Sequence, residues 1–330
     1  MTASQTQKII SPAQLNYIKR YGVIYYDKSL AEYSRWKIGG TADVTIAPHS
    51  AEAIAQLMAY VAKEKIPYVI IGSSSNLLFA DEGLRALVIL LGDQISKMEV
   101  SSKKVYAQCG LWVPRFSRRV AQAGLTGAEH MIGIPGTLGG LICMNGGSQR
   151  KGVGDFLVSV RSVSPEGELM KFTKAQCEFA YRESVFQRNQ HIIVDAEFEY
   201  PLAENKHDVR RNMLSILHDR RLKFPKKLPN CGSVFVSNPA MYADYGPPGA
   251  VIERCGLKGL AKNQAQISPM HANFIVNNGG ANAKDVLYLI HLIRETVRKE
   301  TGYLMPAEAR YVSSGGEVIS AHEKARELYA

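Results

Sequence analysis

The sequence predicts a globular chain of two domains built from both helices and strands, and three observations carry that expectation. Its 330 residues correspond to roughly two domains at about 150 residues each. Hydrophobic residues make up 46% and charged residues 21%, which excludes a disordered chain, a collagen and a coiled coil. Strand-like runs and helix-period runs then alternate from 43 to 91. No stretch approaches the ~18–20 apolar residues that cross a bilayer. The first twenty residues lack the apolar run of a signal peptide. A cytoplasmic chain without a membrane partner is expected.

Taken in order, residues 1–30 read as a leading helical segment and a short strand at 23–26. The run DVTIAP is strand-like and stops at Pro48. Ser50 can then cap a helix whose apolar face is Ile54, Leu57, Met58 and Val61, at helical spacing. Pro67 ends that helix, and 68–71 and 87–91 read as buried strands. Residues 105–200 continue as short strands and glycine-rich turns, ending in IIVDAEFEY (192–200), whose second half alternates as a half-buried strand should. The polar run 201–208 suggests a boundary near 200. A basic helix follows at 208–221, then a proline- and glycine-rich section to about 260. The last clear helix is 284–300, with Val286, Leu287, Ile290, Ile293 and Val297 on one face and Gly302 as its stop.

Lysine and arginine number 40 against 30 acidic residues, a formal charge of +10. Such an excess attracts anions. Nucleic acid demands a basic stripe or a recognisable module, but the basic residues here are dispersed, with RRLKFPKK (220–227) the densest group. A phosphorylated small molecule suits this distribution better than nucleic acid. The five cysteines form no CxxC or CxxxC pair, which speaks against a thiolate metal site. They read as small buried side chains in a reducing compartment.

Glycine is concentrated in three places: KIGG (37–40), IGSSSN (71–76) and GIPGTLGGLICMNGG (133–147). Glycine permits positive φ and a close approach of backbone to a ligand. Consecutive amides in such a turn form a nest for phosphate oxygens. One such turn is ordinarily a tight strand–helix connection; three in one domain point to a large phosphate-bearing cofactor. The dinucleotide fingerprint GxGxxG is not in place, since Gly133, Gly136, Gly139 and Gly140 are spaced GxxGxxGG around Pro135. No acidic residue sits about twenty positions on at the end of a strand to hold a ribose, and no GxxxxGK[ST] occurs.

The segment GAEHMIGIPGTLGGLICMNGG resembles the signature of the UDP-N-acetylenolpyruvoylglucosamine reductase (MurB) family of peptidoglycan synthesis. LAEYSRWKIGGTADVTIAP, IGSSSNLLFADEG, FAYRESVF, CGSVF, GLKGL, HANFIVNNGGANAKDV and GYLMPAEARYV resemble further blocks of that family, in order, over about residues 23–313. The resemblance implies an α+β fold. A p-cresol-methylhydroxylase-type FAD-binding domain at 36–200 would follow an N-terminal segment, 1–35, packed on it, and a C-terminal α/β substrate-binding domain would occupy 201–330. The short stretch between Phe186 and Ile192 leaves no room for the extra substrate loop of the longer subtype, so the chain resembles the shorter one. The implied FAD cradle is Gly39 and Gly40, then Gly72, Ser73, Ser74, Ser75 and Asn76, then Gly133, Ile134, Pro135, Gly136, Thr137, Gly139, Gly140, Asn145, Gly146 and Gly147. FAD would be non-covalent, NADPH the reductant and a UDP-sugar the substrate of a monomer, with no metal.

Three side chains match the family's catalytic positions: Arg182 the arginine that polarises the carboxylate, Ser233 the proton donor, and Glu308 the C-terminal glutamate. Reducing an enolpyruvyl double bond takes a hydride, which no side chain can supply, and a proton. Charge developing at C2 spreads into the carboxylate, where a permanently cationic, planar guanidinium can fork onto its oxygens. Glu308, if it carries a proton, can add a hydrogen bond. Ser233 would protonate C2, with its position compensating for weak acidity. Tyr181, Asn238, Lys258 and Asn273 are the candidate substrate contacts.

The chain also departs from the family pattern. Ser73 and Ser74 stand where the family has glycine. Val234-Phe235-Val236-Ser237-Asn238-Pro239 is one residue longer than Val-Phe-Lys-Asn-Pro and lacks its lysine, and 241–249 is longer than expected. These changes keep two alternatives open: a specialised paralogue reducing a related nucleotide-sugar or enolpyruvyl substrate, and an FAD-linked oxidase of the same fold. His130 and Cys143, flanking the third loop, are the residues such an oxidase could use for covalent attachment.

Overall fold

The structure, a computed structural model, describes residues 9–330. The first eight residues of the predicted N-terminal segment lie outside them. The chain separates into two compact units. One holds the chain up to Tyr26, Val44–Ser73 and Leu87–Arg220; the other holds Asp27–Asp43, Ser74–Ala86 and Arg221–Ala330. This differs from a single break near 200, because two short early segments belong with the C-terminal part.

In the first unit, Tyr68–Ile71 runs parallel to Leu87–Leu90, in register from Tyr68↔Leu87 to Ile71↔Leu90. They end a four-stranded sheet ordered Gly22–Ser29, Thr41–Pro48, Leu84–Leu90, Tyr68–Ile71. Helix Ala51–Glu64 buries Ile54, Leu57, Met58 and Val61, the face its spacing predicts. Its Ser50 cap accepts from the Ala53 amide at 3.0 Å. A second, antiparallel sheet runs Met98–Ser101, Lys104–Gln108, Ile192–Glu199, Leu157–Val163, Leu169–Thr173. In its central strand 192–196 are all buried and only the end alternates, so periodicity marks just the half that meets solvent.

The glycine-rich stretch 133–147 contains a helix, Leu138–Cys143, where glycine content alone predicts turns. Gly139 and Gly140 disfavour it by propensity, but burial of Leu138, Leu141 and Ile142 overrides that.

In the second unit, Arg310–Val312 pairs antiparallel with Val318–Ser320 and parallel with Leu77–Phe79, with Arg310 opposite Leu77. A small meander joins Ala261–Lys262, Ala265–Ile267 and Ile275–Asn277. Helix Ala283–Thr301 buries all five predicted face residues, starts on an Asn282–Asp285 capping box and stops at left-handed Gly302. Fully buried Trp36 explains why 27–43 belongs here: its indole donates to the Ile275 carbonyl at 2.8 Å, and its carbonyl accepts from Asn277 Nδ2 at 2.9 Å. The proline-rich section forms two short helices, Pro239–Tyr245 and Pro248–Arg254. Both carry proline in their first turn, where the missing amide costs nothing. Among the described residues no helix is long and apolar enough to cross a membrane.

Candidate active site

In the first unit, Arg182 sits in a two-residue turn. Ala180 and Glu183 exchange backbone hydrogen bonds of 3.2 Å, leaving Tyr181 and Arg182 at the tip. Arg182 has φ +61°, a left-handed conformation that costs a side-chain-bearing residue about 1–2 kcal/mol. Neighbouring donors hold the strain. Gln187 Nε2 donates to the Arg182 carbonyl at 2.9 Å and to the Cys143 carbonyl at 3.0 Å. Ser184 Oγ donates to the Cys143 carbonyl at 2.6 Å, and Asn145 Nδ2 to the Ala180 carbonyl at 2.8 Å. The Arg182 guanidinium reaches the Gly147 carbonyl at 3.4 Å. The turn is thereby sewn to the third glycine-rich loop, while the Tyr181 ring is exposed.

The glycines divide into two kinds. A Cβ on Gly147 would lie 1.8 Å from the Lys151 carbonyl oxygen, and one on Gly139 2.8 Å from Cys109 Cβ, so packing within the protein demands them. A Cβ on Gly72 would lie 2.3 Å from Thr137 Oγ1, which brings the second loop against the start of the third. Gly140 faces nothing closer than 3.6 Å. Gly133 lies under the Arg220 side chain, where a Cβ would come within 2.4 Å of Arg220 Cδ. Burial lowers the Arg220 pKa. In the sequence that arginine is only one member of a basic group; nothing in its spacing marks it as buried.

His130 precedes the third glycine-rich stretch, and Cys143 ends the helix within it. His130 is buried, its Nδ1 accepts from the Ser148 amide at 3.3 Å, and burial pulls its pKa down to about 4.

In the second unit, Gly39 and Gly40 pack on the protein itself: a Cβ would lie 2.8 Å from Phe79 Cβ and 2.4 Å from the Asp81 carbonyl oxygen, respectively. Ser74 has φ +45°, and its buried hydroxyl meets no partner among the described residues. Leaving such a group unsatisfied costs about 1–3 kcal/mol, so the loop is fit to receive a ligand oxygen.

Ser233 and Glu308, both half-buried, ride on neighbouring segments. Phe235 pairs antiparallel with Ala307, and the Glu308 amide donates to the Val234 carbonyl at 2.7 Å. Asn76 Nδ2 donates to the Glu308 carbonyl at 2.8 Å. Asn273 holds the serine segment: its carbonyl accepts from the Val234 amide at 2.9 Å, its Oδ1 from the Phe235 amide at 2.9 Å, and its Nδ2 donates to the Phe235 carbonyl at 3.0 Å. Burial, followed by the Glu308 charge, pushes the Cys231 thiol well above its ordinary pKa, which puts that thiol within reach of the glutamate's field.

The other predicted contacts have partners of their own. Asn238 caps helix Pro239–Tyr245, accepting from the Ala240 and Met241 amides at 2.9 and 3.2 Å. Lys258 pairs with Glu253 at 2.8 Å. Asn145 Oδ1 accepts from the Gly154 amide at 3.2 Å. Sequence reasoning misses these engagements because each joins residues whose proximity is set by local turns or by the fold.

Comparison with known proteins places these features in context. Residues 42–173 match the FAD binding domain model, and 224–312 match the C-terminal domain model of UDP-N-acetylenolpyruvoylglucosamine reductase. The chain is 42% identical to UDP-N-acetylenolpyruvoylglucosamine reductase 1 of Corynebacterium glutamicum, over 91% of this chain and 90% of that protein. It is 35% identical to the reductase of Halalkalibacterium halodurans, over 88% and 95% of the two chains. Among solved structures, the reductase of Thermus caldophilus matches with a TM-score of 0.73 at 28% identity, over 88% of this chain and 98% of that one.

Proposed function

The chain belongs to the UDP-N-acetylenolpyruvoylglucosamine reductase family, and we propose that Arg182, Ser233 and Glu308 carry its reaction. It is an FAD-dependent oxidoreductase of peptidoglycan synthesis that reduces the enolpyruvyl group of UDP-N-acetylglucosamine enolpyruvate to UDP-N-acetylmuramate, with NADPH as reductant. Its fold is α+β, a p-cresol-methylhydroxylase-type FAD-binding domain followed by the family's C-terminal domain.

The observation that carries the assignment of roles is the 2.7 Å bond from the Glu308 amide to the Val234 carbonyl, which sets Glu308 beside the residue that follows Ser233. The cofactor would be held by Gly72 to Ser75, with the Ser74 hydroxyl toward a phosphate oxygen, and by Gly133 to Thr137 with Gly139 and Gly140. Bound and reduced, FAD supplies the hydride equivalent that side chains lack. Arg182 holds the substrate carboxylate in a planar fork and stabilises charge developing there. Ser233 delivers its proton to C2. Glu308 donates a hydrogen bond to the same developing charge when protonated. Tyr181 offers an exposed ring beside Arg182 to the substrate. Asn273 acts one step back, fixing the serine segment. The same reading has a monomer acting in the cytoplasm on a UDP-sugar, without a nucleic-acid or membrane partner. Dispersed positive charge and five free cysteines support it.

Rapid mixing separates the roles. Ser233→Ala is expected to leave NADPH-driven bleaching of the flavin nearly intact and to slow reoxidation by the enolpyruvyl substrate by ~10²-fold or more, the lower end for a positioned general acid. Reoxidation at the wild-type rate would show that another group gives the proton.

A further inference from the structure

We propose that Asn76 is a positioning residue for Glu308: it lies in the cofactor loop by sequence, but its side chain serves the glutamate. The inference rests on the reading of Glu308 given above. The Asn76 side-chain amide donates to the Glu308 carbonyl at 2.8 Å, and the Asn76 backbone carbonyl accepts from the Arg310 amide at 2.9 Å. The Glu308 amide is held in turn by the Val234 carbonyl at 2.7 Å. Both polar groups of the Glu308 backbone are thus engaged, one by Asn76 and one by the serine segment.

The clamp spans 232 positions of sequence. Its register is fixed because Leu77–Phe79 leaves Asn76 directly into the parallel pairing with Arg310–Val312. Two residues earlier, Ser74 has the left-handed backbone and the buried, unpartnered hydroxyl suited to a ligand oxygen. Ser74–Asn76 therefore has a ligand-facing group at one end and the glutamate clamp at the other.

The residue type follows from the task. A carbonyl needs a donor, and asparagine is the shortest side chain that offers an N–H while leaving a second amide atom for the loop. An aspartate at 76 keeps the shape, loses the donor when ionised, and sets a negative charge against the carbonyl oxygen.

The test uses full-length holoenzyme with Asn76→Ala, Asn76→Asp and Glu308→Gln. Four quantities are read: FAD affinity by fluorescence titration of apoprotein, flavin bleaching by NADPH, reoxidation by the enolpyruvyl substrate, and hydrogen exchange of the 306–310 amides. For both Asn76 variants, FAD affinity and bleaching are expected within about twofold of wild type. Reoxidation should slow about tenfold, with the substrate concentration at half-maximal rate nearly unchanged, as for misplacement of a reacting group. Exchange should quicken at 306–310. Weakened FAD affinity with normal reoxidation would assign the side chain to the cofactor and overturn the proposal, as would wild-type values throughout. Glu308→Gln separates the two levels. If it reoxidises normally, the role of Glu308 is wrong and the proposal falls with it; if it is slow while both Asn76 variants are normal, only the clamp is wrong.

Discussion

The turn that carries Arg182 is held in a left-handed backbone by side chains on Asn145, Ser184 and Gln187. Ser233 and Glu308 are held differently: neither has a positive φ, and backbone pairing with Val234 and Phe235 sets their spacing. In the proposed roles, a guanidinium that meets a substrate carboxylate at one angle sits on a small strained turn, where a few hydrogen bonds fix direction. The proposed proton donor and glutamate, which would act together, sit on paired segments, where register fixes their separation. The first site should be brittle to local substitutions, and the second to loss of either asparagine clamp.

The largest effect expected from breaking this contrast is at the first site. Arg182→Lys keeps the charge but loses the planar fork, so reoxidation by substrate should slow by roughly 10²-fold, with bleaching by NADPH unchanged. Rapid-mixing absorbance checks it, and a wild-type rate would mean that charge alone suffices.

Next comes the second site's clamp. Asn273→Ala leaves the Phe235 amide and carbonyl without their side-chain partner. Buried groups orphaned in this way should cost about 2–3 kcal/mol in denaturant unfolding, and reoxidation should slow as well. Normal kinetics in a destabilised protein would limit Asn273 to a structural role.

A smaller effect depends on pH and belongs to the first unit alone. His130 is buried with its folded pKa lowered to about 4. Below about 6.5 the unfolded chain takes up a proton that the folded one refuses, so stability falls with pH from about 6.5 toward 4. At pH 5 the loss should be about 2 kcal/mol relative to pH 7.5. His130→Asn should flatten that slope in urea titrations across the range; an unchanged slope would place the acid sensitivity elsewhere.

The smallest effect on stability has the opposite sign. Arg182→Gly should stabilise the protein by about 1 kcal/mol, since glycine tolerates the left-handed turn, while abolishing substrate-driven reoxidation. Thermal unfolding measures it, and a destabilised variant would show that the arginine side chain contributes more than its backbone costs.

Where segments bury one regular face, the sequence alone is informative. Ile54 to Val61 and Val286 to Val297 announce their helices because burial repeats at the helical period, and Ser50 and Gly302 mark an entry and an exit. Within the proline- and glycine-rich section, the prolines at 239 and 248 each open a helix, since proline is disfavoured only after the first turn. The glycine-rich loops are legible as a place for a phosphate-bearing ligand. Which glycines face that ligand is not, because the room at Gly40 or Gly139 depends on Asp81 and Cys109 arriving from elsewhere in the fold.

Glycine clustering pointed to a large phosphate-bearing cofactor, and the ordered blocks carried the family resemblance and with it the flavin and the proposed catalytic side chains, because those are matters of chemistry carried within short segments. Tertiary structure alone decided that 27–43 and 74–86 belong with the C-terminal unit, and that Asn76 and Asn273 grip Glu308 and Phe235. The long-range grips join residues far apart in the chain through one or two side-chain hydrogen bonds. A side-chain amide has the same composition whether it meets a phosphate or a backbone carbonyl, and only the folded chain selects its partner.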